Sequence, residues 1–247
     1  MCENKDDLFV NSFVKDLKIF NIILDKQQLK KFIRYYELLV EWNSFMNLTA
    51  ITNCEEVLKK HFLDSLSIIK AFPNLCYISG SLIDIGTGAG FPGIPIKIVF
   101  PDLKIVLLDS LNKRVQFLNK VIDELQLENI LAFHGRAEDY ARFDELRESF
   151  DFCVSRAVAN LGTLSEYCIP FIKKNGYFIS YKSDKIAEEY NNAKKAIEIL
   201  GGEYEREVEF ELPNSDIYRN LFIIKKVNNT PVKYPRKAGL PVKKPIL

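Results

Sequence analysis

The sequence predicts an α/β fold: a mostly parallel seven-stranded sheet with one antiparallel strand, preceded by a small helical N-terminal subdomain. Three observations predict it. From residue 81 onward, short apolar runs alternate with amphipathic stretches of 10–15 residues, the pattern of βα units with right-handed crossovers. The run 103–108 is almost wholly apolar, as in a strand buried on both faces. The first 75 residues carry a 3.6-residue period instead.

Taken in order, residues 28–45 place Leu29, Phe32, Ile33, Tyr36, Leu39, Val40 and Phe45 on one helical stripe. Residues 54–72 do the same with Val57, Leu58, Phe62, Leu66 and Ile69. Thr52 and Asn53 mark that start, Glu55 and Glu56 suit its positive end, and Pro73-Asn74 stops it. Strands are expected at 82–85, 103–108, 129–133, 150–154 and 177–181, and helices at 111–125, 160–170 and 185–200. Two late strands, 203–210 and 218–227, flank a turn at Pro213-Asn214-Ser215 and close the sheet as a hairpin. The implied division is 1–75 helical, 76–227 sheet domain and 228–247 extended tail.

The 247 residues carry a net charge of +1 and are 47% hydrophobic, ordinary for a globular chain and too apolar for a disordered one. Five cysteines, Cys2, Cys54, Cys76, Cys153 and Cys168, form no CxxC pair, so a disulfide framework or zinc knuckle is not expected. Two histidines exclude a His-rich metal site, and no metal is expected. No signal peptide and no apolar run of about 18 residues is seen, so a cytoplasmic protein without membrane contact is expected. The sequence indicates no oligomeric state, and a monomer is the default. The near-neutral total is uneven: residues 225–247 hold seven basic residues, no acids and four prolines, leaving −6 for residues 1–224.

The most informative segment is Leu82-Ile-Asp-Ile-Gly-Thr-Gly-Ala-Gly-Phe-Pro-Gly93. A strand ends in Asp84, and Gly86, Gly88 and Gly90 follow at alternate positions, permitting positive φ and close approach of a ligand. Pro92 and Pro95 suit a loop and a first helical turn. Gly88-x-Gly90-x-x-Gly93 also fits the dinucleotide pattern, but two residues too late after the strand. The D-x-G-x-G-x-G phrase resembles instead the first motif of Rossmann-like, class I S-adenosylmethionine methyltransferases. Asp109 ends the next strand, 23 residues after Gly86, and suits an acceptor for ribose hydroxyls. Asp109 or Ser110 equally suits a helix cap, and both roles are compatible. The third strand leads to Gly135-Arg-Ala137-Glu138-Asp139, where adenine contacts fall in a methyltransferase; a solvated helix start is the alternative for Glu138.

Residues after the fourth strand read Phe152-Cys-Val-Ser-Arg-Ala-Val158. The Asn/Asp-Pro-Pro-aromatic tetrad of enzymes that methylate exocyclic amines is absent. Cys153 lies within a strand and reads as core, not as the nucleophile of a 5-methylcytosine enzyme. Arg156 stands at a strand's carboxyl end, facing the ligand crevice of an open sheet, where it suits a phosphate, a base edge or an acid partner. His61 and Asp64 share a helix face, as a surface pair or a site cluster. Trp42 suits core packing or base stacking. Lys113 and Arg114 open the helix after Asp109, as RNA contacts or a solvated face, Lys182 points toward the crevice, and with Arg236 and Lys237 of the basic tail these five are candidate RNA contacts.

In order along the chain stand Trp42-Asn43-x-x-x-Asn47-Leu-Thr49, His61-Phe-Leu-Asp64-Ser65, the Asp84–Gly93 loop, Leu108-Asp-Ser-Leu-x-Lys-Arg114, Ser155-Arg-Ala157 and Tyr234-Pro-Arg-Lys-Ala-Gly-Leu-Pro241. Together they resemble the small-subunit ribosomal RNA guanine-N7 methyltransferase family, once called glucose-inhibited division protein B, from about residue 30 to the end. The resemblance implies transfer of a methyl group from S-adenosyl-L-methionine to guanine N7 in 16S rRNA, as naked RNA, within the 30S subunit or in an assembly intermediate. It implies cofactor contacts at Gly86, Phe91, Ala137, Glu138 and Arg156, beside Asp84, Gly88, Gly90, Asp109 and Ser110 of the loop and second strand. It puts His61 and Asp64, with Asn43 and Asn47, at the mouth of the cofactor site, and His61, Asp64 and Arg156 are the candidate catalytic residues. Three alternatives stand: methyl transfer to a small molecule or protein, an NAD-dependent oxidoreductase, and a non-catalytic RNA-binding module.

Overall fold

A computed structural model describes residues 9–75, 80–156, 159–184 and 186–246. Cys2, Cys76, Ala157 and the expected division at 75/76 lie outside them. Helices are α1 (Val14–Ile19), α2 (Lys26–Met46), α3 (Cys54–Val57), α4 (Asp64–Leu66), α5 (Ile68–Ala71), α6 (Gly93–Val99), α7 (Asn112–Glu124), α8 (Ala137–Tyr140), α9 (Leu161–Cys168), α10 (Ala187–Ile199) and α11 (Leu240–Lys243). Strands are β1 (Ser81–Ile85), β2 (Lys104–Asp109), β3 (Ile130–His134), β4 (Phe150–Arg156), β5 (Ile172–Lys182), β6 (Gly202–Glu211) and β7 (Tyr218–Lys226).

The sheet order is β3-β2-β1-β4-β5-β7-β6. The strands β1 to β5 pair in parallel, and β7 runs antiparallel to both its neighbours. Chain order reverses between β1 and β4, so the crevice at their carboxyl ends is the natural ligand site.

The helix α2 starts at a capping box in which Asp25 accepts from the Gln28 N–H and Gln28 answers the Asp25 N–H. It ends at Asn47 with φ 50°, a left-handed cap that asparagine tolerates. Residues 54–71 are not one regular α-helix. A π-helical segment, Leu58–Leu63, sits between α3 and α4, and Asn53 caps the start of α3 by accepting from the Glu56 N–H. The wide turn shifts the stripe that a 3.6 period predicts and lets Leu58, Phe62 and Leu63 all bury. His61 lies inside it.

One apolar core joins these helices to one face of the sheet: Phe13, Phe32, Tyr35 and Phe62 continue into Ile94, Leu107 and Phe117. A second core, with Ile83, Cys153, Leu161, Cys168 and Phe178, fills the other face. Cys153 is thus core, as expected. Trp42 packs on Phe117 at 5.6 Å between ring centroids, which favours the packing reading over base stacking. The basic residues at the end of β7 and in the tail are in part committed to acids of the body. Lys226 is buried against Glu148 at 3.0 Å, and Arg236 is paired with the buried Glu166 at 2.6 Å.

Candidate functional site

The loop after β1 is organised by Asp84. This fully buried carboxylate accepts from Thr87 Oγ1 at 2.7 Å and from the Gly93 N–H at 2.8 Å, both on Oδ2. Its Oδ1 is buried and has no hydrogen-bond partner among the described residues. Burial pushes its pKa up to about 7, against the pull of those two donors. Gly90 has φ +97°, and a Cβ there would stand 2.5 Å from Ile94 Cδ1 and 2.7 Å from Tyr35 Oη. Gly88, at φ +64°, has open space on its Cβ side, with Gly86 O the nearest atom at 4.0 Å. The loop is packed on one side and vacated on the other.

Asp109, at the end of β2, ties this loop to the next helix. Its Oδ2 accepts from the Gly88 N–H at 2.9 Å and its Oδ1 from the Leu111 N–H at 2.9 Å. Arg114 Nη1 lies 3.4 Å away. The carboxylate thus holds the turn before the helix without capping it, since the residue at the helix start is Leu111 and no side chain caps it. Ser110 is exposed, with its carbonyl 3.2 Å from His134 Nε2.

A cleft of about 450 Å³ opens above the loop. His61, Asp64, Gly86, Gly88, Phe91, Arg114, Arg156 and Lys182 line it. Arg156, the last residue of β4, organises the opposite wall. Its Nη1 donates to Asp64 Oδ2 at 2.9 Å and to Lys60 O at 3.2 Å. Its Nη2 faces His61 Nδ1 at 3.4 Å, and its guanidinium stands 5.2 Å over the Phe91 ring. The His61 ring stacks on Phe91 at 4.6 Å. A guanidinium can only donate, so Nδ1 is the acceptor and Nε2 carries the hydrogen, donating to Thr49 Oγ1 at 2.9 Å. Burial, then the Arg156 charge, lowers His61 to a pKa of about 4. It is neutral at physiological pH, with both nitrogens engaged.

Sequence reasoning missed Arg219. It comes from β7, 155 residues from Asp64, and donates through Nε to Asp64 Oδ1 at 2.9 Å. One buried carboxylate thus serves two guanidinia, leaving the cleft wall one positive charge in excess. No local motif signals this contact, because only the returning antiparallel strand creates it. Thr49 is set by Asn43, whose Oδ1 accepts from its N–H at 2.9 Å; Asn47 serves as the helix cap.

Other expected residues fall elsewhere. Ala137 and Glu138 open α8, and Glu138 is buried, its Oε1 accepting from the Gly239 N–H of the tail at 2.9 Å. Burial rules out the alternative of a solvated helix start at Glu138. Lys113 is exposed and reaches Met46 O at 3.3 Å. Lys182 is paired with Glu189 at 2.7 Å, and Lys237 is exposed. Arg236 is half-buried, with its guanidinium paired to Glu166. Among the described residues no group of three or more His, Cys, Asp or Glu is placed to hold a metal. No helix there is long and apolar enough to cross a membrane.

The fold is shared with solved methyltransferase structures: a putative sarcosine dimethylglycine methyltransferase from Galdieria sulphuraria aligns with TM-score 0.50 at 12% identity, over 67% of this chain and 84% of that one. A family model described as rRNA small subunit methyltransferase G matches residues 28–218. The ribosomal RNA small subunit methyltransferase G of Lachnoclostridium phytofermentans is 55% identical over 96% of this chain and 97% of its own length. That of Clostridium tetani is 50% identical over the same shares. With motifs, fold and cleft in agreement, the chain belongs to the rRNA small subunit methyltransferase G family.

Proposed function

We propose that this chain transfers the methyl group of S-adenosylmethionine to N7 of a guanine in 16S rRNA. The residues present fit that cofactor. The glycine loop is vacated on its cleft side at Gly88, and Asp84 Oδ1 lies buried beneath it without a partner. The guanidinium of Arg156 suits the cofactor's carboxylate, and Asp109 with Glu138 suits its adenosine end. Bound there, the cofactor supplies an electrophilic methyl group on a sulfonium.

The observation that carries the choice of acceptor is the state of His61. Neutral and engaged at both nitrogens, it is not available to take a proton. Guanine N7 presents a lone pair and no proton, so its attack needs no general base. What the protein supplies is alignment. Phe91 and His61 form a stacked apolar wall, and Asp64 fixes Arg156 against it. The methylated base gains positive charge, and the Asp64 carboxylate, shared between Arg156 and Arg219, limits the positive excess of the wall that faces it. An exocyclic amine or a carbon acceptor would require a base or a nucleophile that this wall lacks.

The test is methyl transfer to 16S RNA presented naked and as the assembled 30S subunit, with the product mapped by cleavage at N7-methylguanine. Modification of one guanine is expected. Methylation at another atom, or of protein only, overturns the reading.

A further inference from the structure

Beyond β7 the chain turns back and is clasped by side chains of the body. Thr230 donates its N–H to Glu148 Oε1 at 2.7 Å. Arg147 donates to the carbonyls of Thr230 and Tyr234, both at 2.9 Å, and Arg142 to that of Pro235 at 2.5 Å. Arg236 then makes a fork onto Glu166, with its N–H at 2.7 Å, Nε at 2.9 Å and Nη2 at 2.6 Å. The Glu166 side chain is 1% exposed, so this contact is desolvated and directional. Three residues on, the Gly239 N–H reaches Glu138 Oε1 at 2.9 Å. Thr163 donates to Pro241 O at 3.3 Å and secures the far side.

We propose that the tail is a latch of the cofactor site: Arg236 locked on Glu166 delivers the Gly239 N–H to Glu138 and fixes that carboxylate for the adenosine end of S-adenosylmethionine. The inference rests on the cofactor reading above. Glu138 stands just past β3, at the carboxyl edge of the sheet where a nucleoside is received. It is buried beside Tyr167, and the tail amide is the partner that sets one of its oxygens. Arg236 and Gly239 are thus positioning residues that act through Glu138, and the positive charge of Arg236 is not offered to RNA.

The experiment measures S-adenosylhomocysteine binding by calorimetry, together with KM for S-adenosylmethionine and for 16S RNA and the salt dependence of RNA binding. It uses the full chain and three variants. Arg236→Ala opens the latch, Glu166→Gln weakens it while keeping the Arg236 charge, and Gly239→Ala strains the left-handed turn (φ +80°) that presents the amide without meeting any neighbouring atom. In all three, S-adenosylhomocysteine binding should weaken about tenfold, the loss of one buried hydrogen bond. KM for S-adenosylmethionine should rise, with RNA KM and salt slope unchanged. The opposite result overturns the proposal: unchanged S-adenosylhomocysteine affinity, with weaker RNA binding in Arg236→Ala and tighter in Glu166→Gln. A wild-type chain that does not bind S-adenosylhomocysteine at all overturns the cofactor reading first, and the latch with it.

Discussion

Asp84 is the residue whose protonation state the fold controls most directly. Its pKa is raised to about 7 from an ordinary 3.8. The folded form therefore holds a proton that the unfolded chain has released between those values. That contribution to stability is present at low pH and is lost as pH rises through about 7. Asp84→Asn keeps an oxygen for Thr87 and Gly93 and removes the titration. Between pH 4 and 7 the melting temperature of the variant should gain on that of the wild type and run level with it above that, and a parallel course for the two curves throughout would exclude the raised pKa. Its S-adenosylhomocysteine affinity should fall, since the unpartnered oxygen is lost.

Arg156 is the second such residue. Arg156→Ala leaves Asp64 with Arg219 alone and strips His61 Nδ1 of its donor. A destabilisation of about 1–3 kcal/mol is expected from the unsatisfied buried groups, with methyl transfer reduced on the order of 10²-fold. Arg156→Lys should not restore it, because an ammonium lacks the planar fork that reaches Asp64 and His61 together. Chemical denaturation and single-turnover methyl transfer on the two variants check both statements. Full activity in the lysine variant would show that charge alone suffices.

Among the elements, the β1–α6 loop makes a two-sided prediction. Gly90→Ala forces a Cβ to within 2.5 Å of Ile94 at a left-handed φ, so it should destabilise the fold by more than the ~1–2 kcal/mol that such a backbone costs alone. Gly88→Ala meets open space and should cost about that backbone term only, while its methyl enters the ligand side of the loop. Thermal melts should rank Gly90→Ala the less stable, and calorimetry should show Gly88→Ala losing cofactor affinity out of proportion to its stability. Equal losses in both would mean the loop is not built around a ligand.

This loop was legible in the sequence because its constraint is local: three glycines behind a strand-ending acid have few other uses. The strands and long helices were legible for the same reason, since period and polarity are local properties. The π-helical segment was not, because it answers to the packing of Phe62 and Leu63 against Phe32 and Tyr35 across the core. Arg219 and the Gly239–Glu138 contact were invisible because each joins residues more than 100 apart. The charge of the tail was legible and the partner of each cation was not: composition counts cations without revealing that Arg236 lies on Glu166 while Lys237 is exposed.

For the whole molecule, that distinction decides where RNA can be held. The cations Lys226 and Arg236 are neutralised inside the protein, and Lys182 is half-committed to Glu189. Lys113, beside the cleft at the start of α7, and Lys237, Lys243 and Lys244 on the tail remain exposed. Phosphate contacts release counterions, so each one lost should flatten the dependence of log K on log salt by roughly 0.7–0.9. Replacing Lys113 and Lys237 together by glutamine should therefore reduce the slope by about 1.5. S-adenosylhomocysteine affinity and melting temperature should stay unchanged, because neither side chain supports the core. The same measurement on Arg236→Ala should leave the slope where it was. A slope that responds to Arg236 and ignores the lysines would reverse the division, making the tail's ion-paired cation an RNA contact and its exposed ones bystanders.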